Sequence, residues 1–218
     1  LSKIPDVFAA KYKNEQLPAP ICVQIEITNQ CTTGCKMCNR WTWTSKSSYD
    51  PGKELSTDEQ VGIFTNLAEL GVRNMIWTGG EPVAHPDFVY LLAEAKRLGF
   101  EVGVLSNGVG VTEEIADGFA KDCAWVRISV DDVPNISGRK PVRNLLKEGK
   151  VVHENDGVIE EVGRSIKRLK KYIGRRDSAL KVSLGYTMQK GNIENVPDMI
   201  DFARSHNLPI NFKFANGE

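Results

Sequence analysis

The chain has 218 residues, of which 41% are hydrophobic and 26% are charged, an ordinary composition for a soluble domain with a sizeable core. Lys and Arg together number 28, as do Asp and Glu, so no global basic field attracts nucleic acid. No apolar run reaches the roughly 18 residues of a membrane-spanning helix, and the amino-terminal stretch lacks the apolar core of a signal peptide. We expect a cytoplasmic protein that binds neither nucleic acid nor a membrane.

The two ends of the sequence predict a longer parent chain. The first residue is Leu1 rather than Met, and the last strand-like run is followed by no helix. We therefore expect a fragment of a longer protein. Within it, residues 1–20 are predicted to form a helical extension and residues 21–218 to form one domain.

Short β-rich runs alternate with segments of helical period along most of the chain. This alternation is typical of βα units that build a parallel sheet or barrel. Six strands fall short of the eight that close a full barrel. The predicted strands cover residues 21–28, 74–78, 102–106, 125–130, 181–187 and 210–214.

The predicted helices are marked by start and stop signals. Ser56 and Glu59 have the spacing of a capping box, and the amphipathic helix that they open is predicted to end at Gly71. Further helices are predicted to begin at Pro86 and Thr112 and to cover residues 159–173 and 197–205.

Two long segments, residues 29–55 and 132–156, interrupt the alternation. Each follows the carboxyl end of a predicted strand, which is where βα architectures bind their ligands. Long connections at this edge are usually functional, so we expect the site there.

Three cysteines, Cys31, Cys35 and Cys38, follow the first strand with the spacing C-x3-C-x2-C. One loop can bring three such thiols to a single metal centre. A structural zinc site needs a fourth ligand, and the usual two-plus-two pairing of cysteines is absent. Three thiolates suit an iron–sulfur cluster with one iron left without a protein ligand. The alternative is zinc completed by Cys22, Cys123, His85 or His153.

The cysteine loop resembles the signature of radical S-adenosylmethionine (radical SAM) enzymes. Residues 78–82, Thr-Gly-Gly-Glu-Pro at the end of the second strand, resemble the Gly-Gly-Glu motif of the same family in both sequence and position. The resemblance implies an α/β fold, a partial (β/α)6 TIM-like barrel with parallel strands. It also implies two cofactors: a [4Fe–4S] cluster held by Cys31, Cys35 and Cys38, and S-adenosylmethionine.

The resemblance extends to the methionine end of that cofactor. Gly79 and Gly80 would hold its amino group, because paired glycines let the backbone approach a ligand closely. Glu81 would accept a hydrogen bond from the ammonium, or it simply caps the turn. Met37 occupies a position that is usually aromatic in the family, where its thioether would pack near the adenine.

Two further strand ends resemble cofactor-lining segments of the family. Ser106 and Asn107 end the third strand, and Ser129 and Asp131 end the fourth. Hydroxyl, amide and carboxylate groups there would hydrogen-bond the ribose or the methionine carboxylate. Because Ser129 and Asp131 alternate along one strand, both are predicted to point into the barrel. The alternative for Asp131 is that it caps the following loop.

The activity that the resemblance implies is reductive cleavage of S-adenosylmethionine to a 5′-deoxyadenosyl radical, which abstracts hydrogen from a peptide or small-metabolite substrate. A reducing partner such as flavodoxin or ferredoxin would supply the electron. The motifs of this chain resemble those of radical SAM cores that carry a carboxyl-terminal, SPASM-like domain with auxiliary clusters. Two alternatives use the same thiols without this catalysis: a zinc-stabilised βα binding module and an iron–sulfur electron-transfer module. No catalytic acid or base can be assigned from the sequence.

Overall fold

The computed structural model describes residues 18–33, 38, 51–130, 156–175, 177–190 and 192–214. Most of the predicted amino-terminal helical extension and most of the two long connecting segments lie outside these residues. Along the part of the chain that is described, no helix is both long enough and apolar enough to cross a membrane.

Within the described residues six strands form one open sheet, in which every neighbouring pair is parallel and the spatial order follows the chain order. This confirms the predicted succession of βα units. The strands are β1 (Val23–Thr28), β2 (Asn74–Gly79), β3 (Glu101–Ser106), β4 (Cys123–Ser129), β5 (Lys181–Met188) and β6 (Ile210–Phe214).

Helices connect the strands where the sequence predicted them. Ser56 and Glu59 form the reciprocal hydrogen bonds of a capping box, and the hydroxyl of Thr112 accepts from the backbone N–H of Ile115. Gly71 and Gly99 follow their helices with positive φ angles of 86° and 85°, which glycine adopts without steric cost. The helices are α1 (Thr57–Glu69), α2 (Phe88–Arg97), α3 (Glu113–Asp122), α4 (Asp156–Lys170) and α5 (Val196–His206).

Aromatic side chains join β2 to the helices that cover it. The Trp77 ring stacks on Phe64 of α1 with ring centroids 5.6 Å apart and meets the edge of Phe88 of α2 at 5.9 Å. Phe88 in turn packs against Phe119 of α3 at 5.3 Å. All four rings are buried, so they hold three helices in register on one face of the sheet.

The opposite, inner face of the sheet carries small residues beside large ones. Gly103 of β3 pairs with Trp125 of β4, and a Cβ atom on Gly103 would lie 2.0 Å from a carbon of the Trp125 ring. The indole therefore covers the glycine directly. In the same way a Cβ atom on Gly185 of β5 would lie 3.1 Å from Cδ of Arg127.

Two glycine-to-alanine substitutions are expected to change stability in opposite directions. Gly103→Ala forces the Trp125 ring to move and should lower the free energy of unfolding by about 2 kcal/mol. Gly62→Ala, on the exposed face of α1 where nothing lies within 4 Å, should raise the free energy of unfolding by about 0.5 kcal/mol. Urea denaturation followed by circular dichroism measures both. Equal effects of the two variants would contradict the packing described for the inner face.

Candidate cofactor site

The candidate site lies at the edge of the sheet where the parallel strands end. Thr28, Gly79, Ser106 and Ser129 are the last residues of β1, β2, β3 and β4. Because neighbouring parallel strands finish at the same edge, the start of the cysteine loop meets the Gly-Gly-Glu segment and the end of β3 there. The structure thus brings together the motifs that the sequence places some 25 to 75 residues apart.

Gly79 and Gly80 carry the backbone that leads into the cysteine loop. The N–H of Gly80 donates to the carbonyl of Thr28 at 2.8 Å, and the N–H of Glu81 donates to the carbonyl of Gln30 at 2.7 Å. A Cβ atom would lie 2.2 Å from the Thr28 oxygen at Gly79 and 2.0 Å from the Gln30 oxygen at Gly80. Gly79 also has a φ of 131°. Only glycines let the two backbones come this close.

The Glu81 side chain is 1% exposed and accepts hydrogen bonds from two loops. Oε1 accepts from the N–H of Val83 at 3.3 Å, which caps the short turn Pro82–Ala84. Oε2 accepts from the N–H of Asn107 at 2.5 Å. Desolvation raises the pKa of Glu81 to about 7, although the donors Asn107, Ser106 and Val83 oppose the rise. Glu81 therefore ties the turn after β2 to the turn after β3.

Asn107 joins the end of β3 to the cysteine loop. Its Oδ1 accepts from the N–H of Val109 at 2.8 Å. Its Nδ2 lies 3.0 Å from Oγ1 of Thr32, 3.1 Å from Oγ1 of Thr33 and 4.0 Å from Sγ of Cys31. Sequence reasoning missed Thr32 and Thr33, whose hydroxyls lie beside the first cysteine; their place between two cysteines was the available signal.

The described cysteines of the loop have the chemistry of iron–sulfur ligands, and Cys31 lies at this edge beside Asn107. Cys31 is exposed and Cys38 is half-buried, and soft thiolates on one loop are the ligands that such clusters use. The Cys31 sulfur also has polar groups beside it, Nδ2 of Asn107 and Oγ1 of Thr33. Three predicted site residues, Cys35, Met37 and Asp131, lie outside the described residues.

Zinc completed by the remaining cysteines does not match the topology. Cys22 directly precedes β1 and Cys123 begins β4, so both lie at the amino edge of the sheet. A strand of six residues spans about 20 Å, which separates them from Cys31. Cys123 is buried, and desolvation raises the pKa of its thiol to about 12. His85 uses Nδ1 to accept from the N–H of Asp87, while His153 lies outside the described residues.

The inner face beneath the site carries one cation that sequence reasoning did not single out. Arg127 shares its strand face with Ser129 and with Trp125, whose ring centroid lies 5.6 Å from the Arg127 Cζ. Nε of Arg127 is buried and has no hydrogen-bond partner. Alternation along β4 was the available signal, since it places Arg127 on the same face as Ser129. Ser129 itself pairs with Gly185 of β5, and the Arg127 side chain lies over this glycine.

Comparison with protein families gives one match that spans most of the chain. The model described as the Radical SAM superfamily matches residues 25–203. Among curated relatives, the PqqA peptide cyclase of Streptomyces rochei is 27% identical over 186 residues, which is 85% of this chain and 45% of the relative. The PqqA peptide cyclase of Bradyrhizobium diazoefficiens is 27% identical over 194 residues, 87% of this chain and 44% of the relative. The chain thus spans less than half the length of these relatives.

Solved structures share the fold at low sequence identity. Streptococcus suis SuiB bound to the precursor peptide SuiA superposes with a TM-score of 0.66 and 15% identity, covering 96% of this chain and 42% of that one. Native anSMEcpe with bound AdoMet superposes with a TM-score of 0.65 and 16% identity, covering 90% of this chain and 52% of that one. At these identities the likeness shows the fold alone, and it confirms the predicted partial barrel of parallel strands.

The burial of Glu81 predicts a pH dependence of stability. A carboxyl whose folded pKa is raised from 4.5 to about 7 contributes stability below pH 4.5 that is lost as the pH rises through 7. The loss amounts to about 3 kcal/mol by proton linkage. The unfolding free energy of the natural chain minus that of Glu81→Gln should therefore decrease as the pH is raised from 4.5 to 7.5. Urea denaturation at each pH measures this difference. A difference that is flat across this range would show that folding does not raise the pKa of Glu81.

Proposed function

Because the chain belongs to the radical SAM superfamily, we propose that it binds a [4Fe–4S] cluster and S-adenosylmethionine at the carboxyl edge of its sheet and modifies a peptide. Support comes above all from the seating of the cysteine loop on Gly79 and Gly80. That seating puts the first thiol of the loop beside the ends of β2 and β3, where a ligand can reach both.

In this proposal Cys31, Cys35 and Cys38 bind three irons of the cluster and leave the fourth open. When bound, the cluster and S-adenosylmethionine would supply one-electron cleavage and hydrogen-abstraction chemistry. The chain's own residues orient these groups and exclude reactions that would quench the radical.

The backbone of the Gly-Gly-Glu segment would orient the methionine end. The N–H groups of Gly80 and Glu81 already donate to Thr28 and Gln30, which lead into the cysteine loop. The carbonyl oxygens of the segment would therefore be the groups that accept from the methionine ammonium. Glu81 would not contact the methionine directly. Its two oxygens accept hydrogen bonds from the N–H groups of Val83 and Asn107, which keeps the Gly-Gly-Glu segment in place.

The remaining cofactor contacts follow the strand ends. Ser129, at the carboxyl end of β4, would present its hydroxyl to a ribose or carboxylate group; the neighbouring Gly185 is covered by the Arg127 side chain. Ser106 is buried, and its hydroxyl accepts from the N–H of Gly108 at 2.9 Å, so it shapes the edge of the site. The other proposed contacts are Met37, Asn107 and Asp131.

A peptide is the favoured substrate class, ahead of a small metabolite. Both curated relatives are named peptide cyclases, and SuiB was solved with a precursor peptide. The electron would come from a low-potential carrier such as flavodoxin or ferredoxin. A cytoplasmic location is proposed because thiols that hold a cluster must stay reduced.

The proposal predicts anaerobic cleavage of S-adenosylmethionine. The full chain is reconstituted with iron and sulfide, reduced with dithionite and given S-adenosylmethionine, and 5′-deoxyadenosine is measured by chromatography with mass detection. We expect the product with the natural chain and none with Cys35→Ala, because the cluster loses a ligand. Cys22→Ala is the matched control, since this exposed thiol lies at the other edge of the sheet and its loss should leave the yield unchanged.

Two results would contradict the proposal. Stoichiometric zinc with no cluster after reconstitution would favour the binding module. A cluster that never cleaves S-adenosylmethionine, even with each of the two electron carriers in place of dithionite, would favour the electron-transfer module.

A further inference from the structure

We propose that Asn107 is a positioning residue for the cluster: its side-chain amide donates a hydrogen bond to the sulfur of Cys31 and thereby raises the cluster's reduction potential. The inference rests on the proposed function, because it concerns a cluster bound by the cysteine loop. Asn107 reaches this loop from the end of β3, 76 residues further along the chain.

Two hydrogen bonds, one at the side-chain oxygen and one at the backbone N–H, orient Asn107. Oδ1 accepts from the N–H of Val109 at 2.8 Å, which leaves Nδ2, the donor, on the side of the cysteine loop. The backbone is held as well, since the N–H of Asn107 donates to Glu81. A side chain fixed by its own turn and by a buried carboxylate loses little further freedom when it donates to a sulfur.

The surroundings of Cys31 offer this amide as its donor. The two N–H groups of Nδ2 face three acceptors: Oγ1 of Thr32 at 3.0 Å, Oγ1 of Thr33 at 3.1 Å and Sγ of Cys31 at 4.0 Å. A charged thiolate is a stronger acceptor than a hydroxyl, so in the proposal one N–H turns to the sulfur when it binds iron. Oγ1 of Thr33 lies 3.7 Å from the same sulfur. Cys31 is exposed, so water is the competing hydrogen-bond donor to its thiolate.

A donor at this place acts on the potential through charge. One-electron reduction adds a negative charge to the cluster, and part of that charge resides on its sulfur atoms. An N–H directed at a thiolate sulfur stabilises the reduced state more than the oxidised state. Removing the donor should therefore make the reduction potential more negative.

The reduction potential of the anaerobically reconstituted full chain tests this inference. The signal of the reduced cluster in electron paramagnetic resonance is followed during a redox titration. Asn107→Asp keeps the acceptor for Val109 but has no N–H, and Asn107→Ala removes the whole amide. Both variants should show a more negative potential than the natural chain. The matched control is Asn74→Asp, because Asn74 donates to Ile21 at the amino edge of the sheet, and its potential should not move.

Unchanged potentials in both variants, with clusters of normal content, would overturn the inference. A shift in Asn107→Asp alone would overturn it too, because the added negative charge would then be the whole effect. If the alanine variant takes up no cluster, Asn107→Ser is titrated in its place, since serine also supports this kind of turn. A natural chain that takes up no cluster fails the proposed function, whereas a natural chain with a cluster and insensitive variants fails only this inference.

Discussion

The site depends on one close contact between two stretches of backbone. Thr28 and Gln30, which lead from β1 into the cysteine loop, accept hydrogen bonds from Gly80 and Glu81 at the end of β2. The contact leaves no space for a Cβ atom at either Gly79 or Gly80. Because Cys31 follows Gln30 directly, this backbone contact determines where Cys31 lies relative to the end of the sheet. The glycines therefore serve the protein's own backbone as well as any ligand.

Buried polar groups extend this contact to β3. An acid as buried as Glu81 is costly unless it is hydrogen-bonded or neutral, and here it accepts from the turns that follow β2 and β3. The side chain of Asn107 then hydrogen-bonds Thr32 and Thr33 of the cysteine loop. Three strand ends are thus joined by backbone N–H groups, one carboxyl and one amide, and this network holds the first thiol in place relative to the sheet.

Much of this site could be predicted from motifs, and part of it could not. The spacing of the cysteines indicated a three-thiolate cluster, and the glycine pair after a strand indicated a close backbone approach. The partner of that approach, the carbonyls of Thr28 and Gln30, carries no sequence signature. The burial of Glu81 and the unpaired Nε of Arg127 likewise depend on neighbours that come from other strands.

Local patterns in the amino-acid sequence are sufficient to predict the order and type of the elements and the residue chemistry at the strand ends. Those features are local, because hydrophobic period, helix caps and loop spacing act over a few residues. The contacts between loops, the burial of Glu81 and the approach of the Asn107 amide to Cys31 become visible only in the folded chain. These contacts join residues up to 76 positions apart, and they exist only because parallel strands bring their carboxyl ends to one edge.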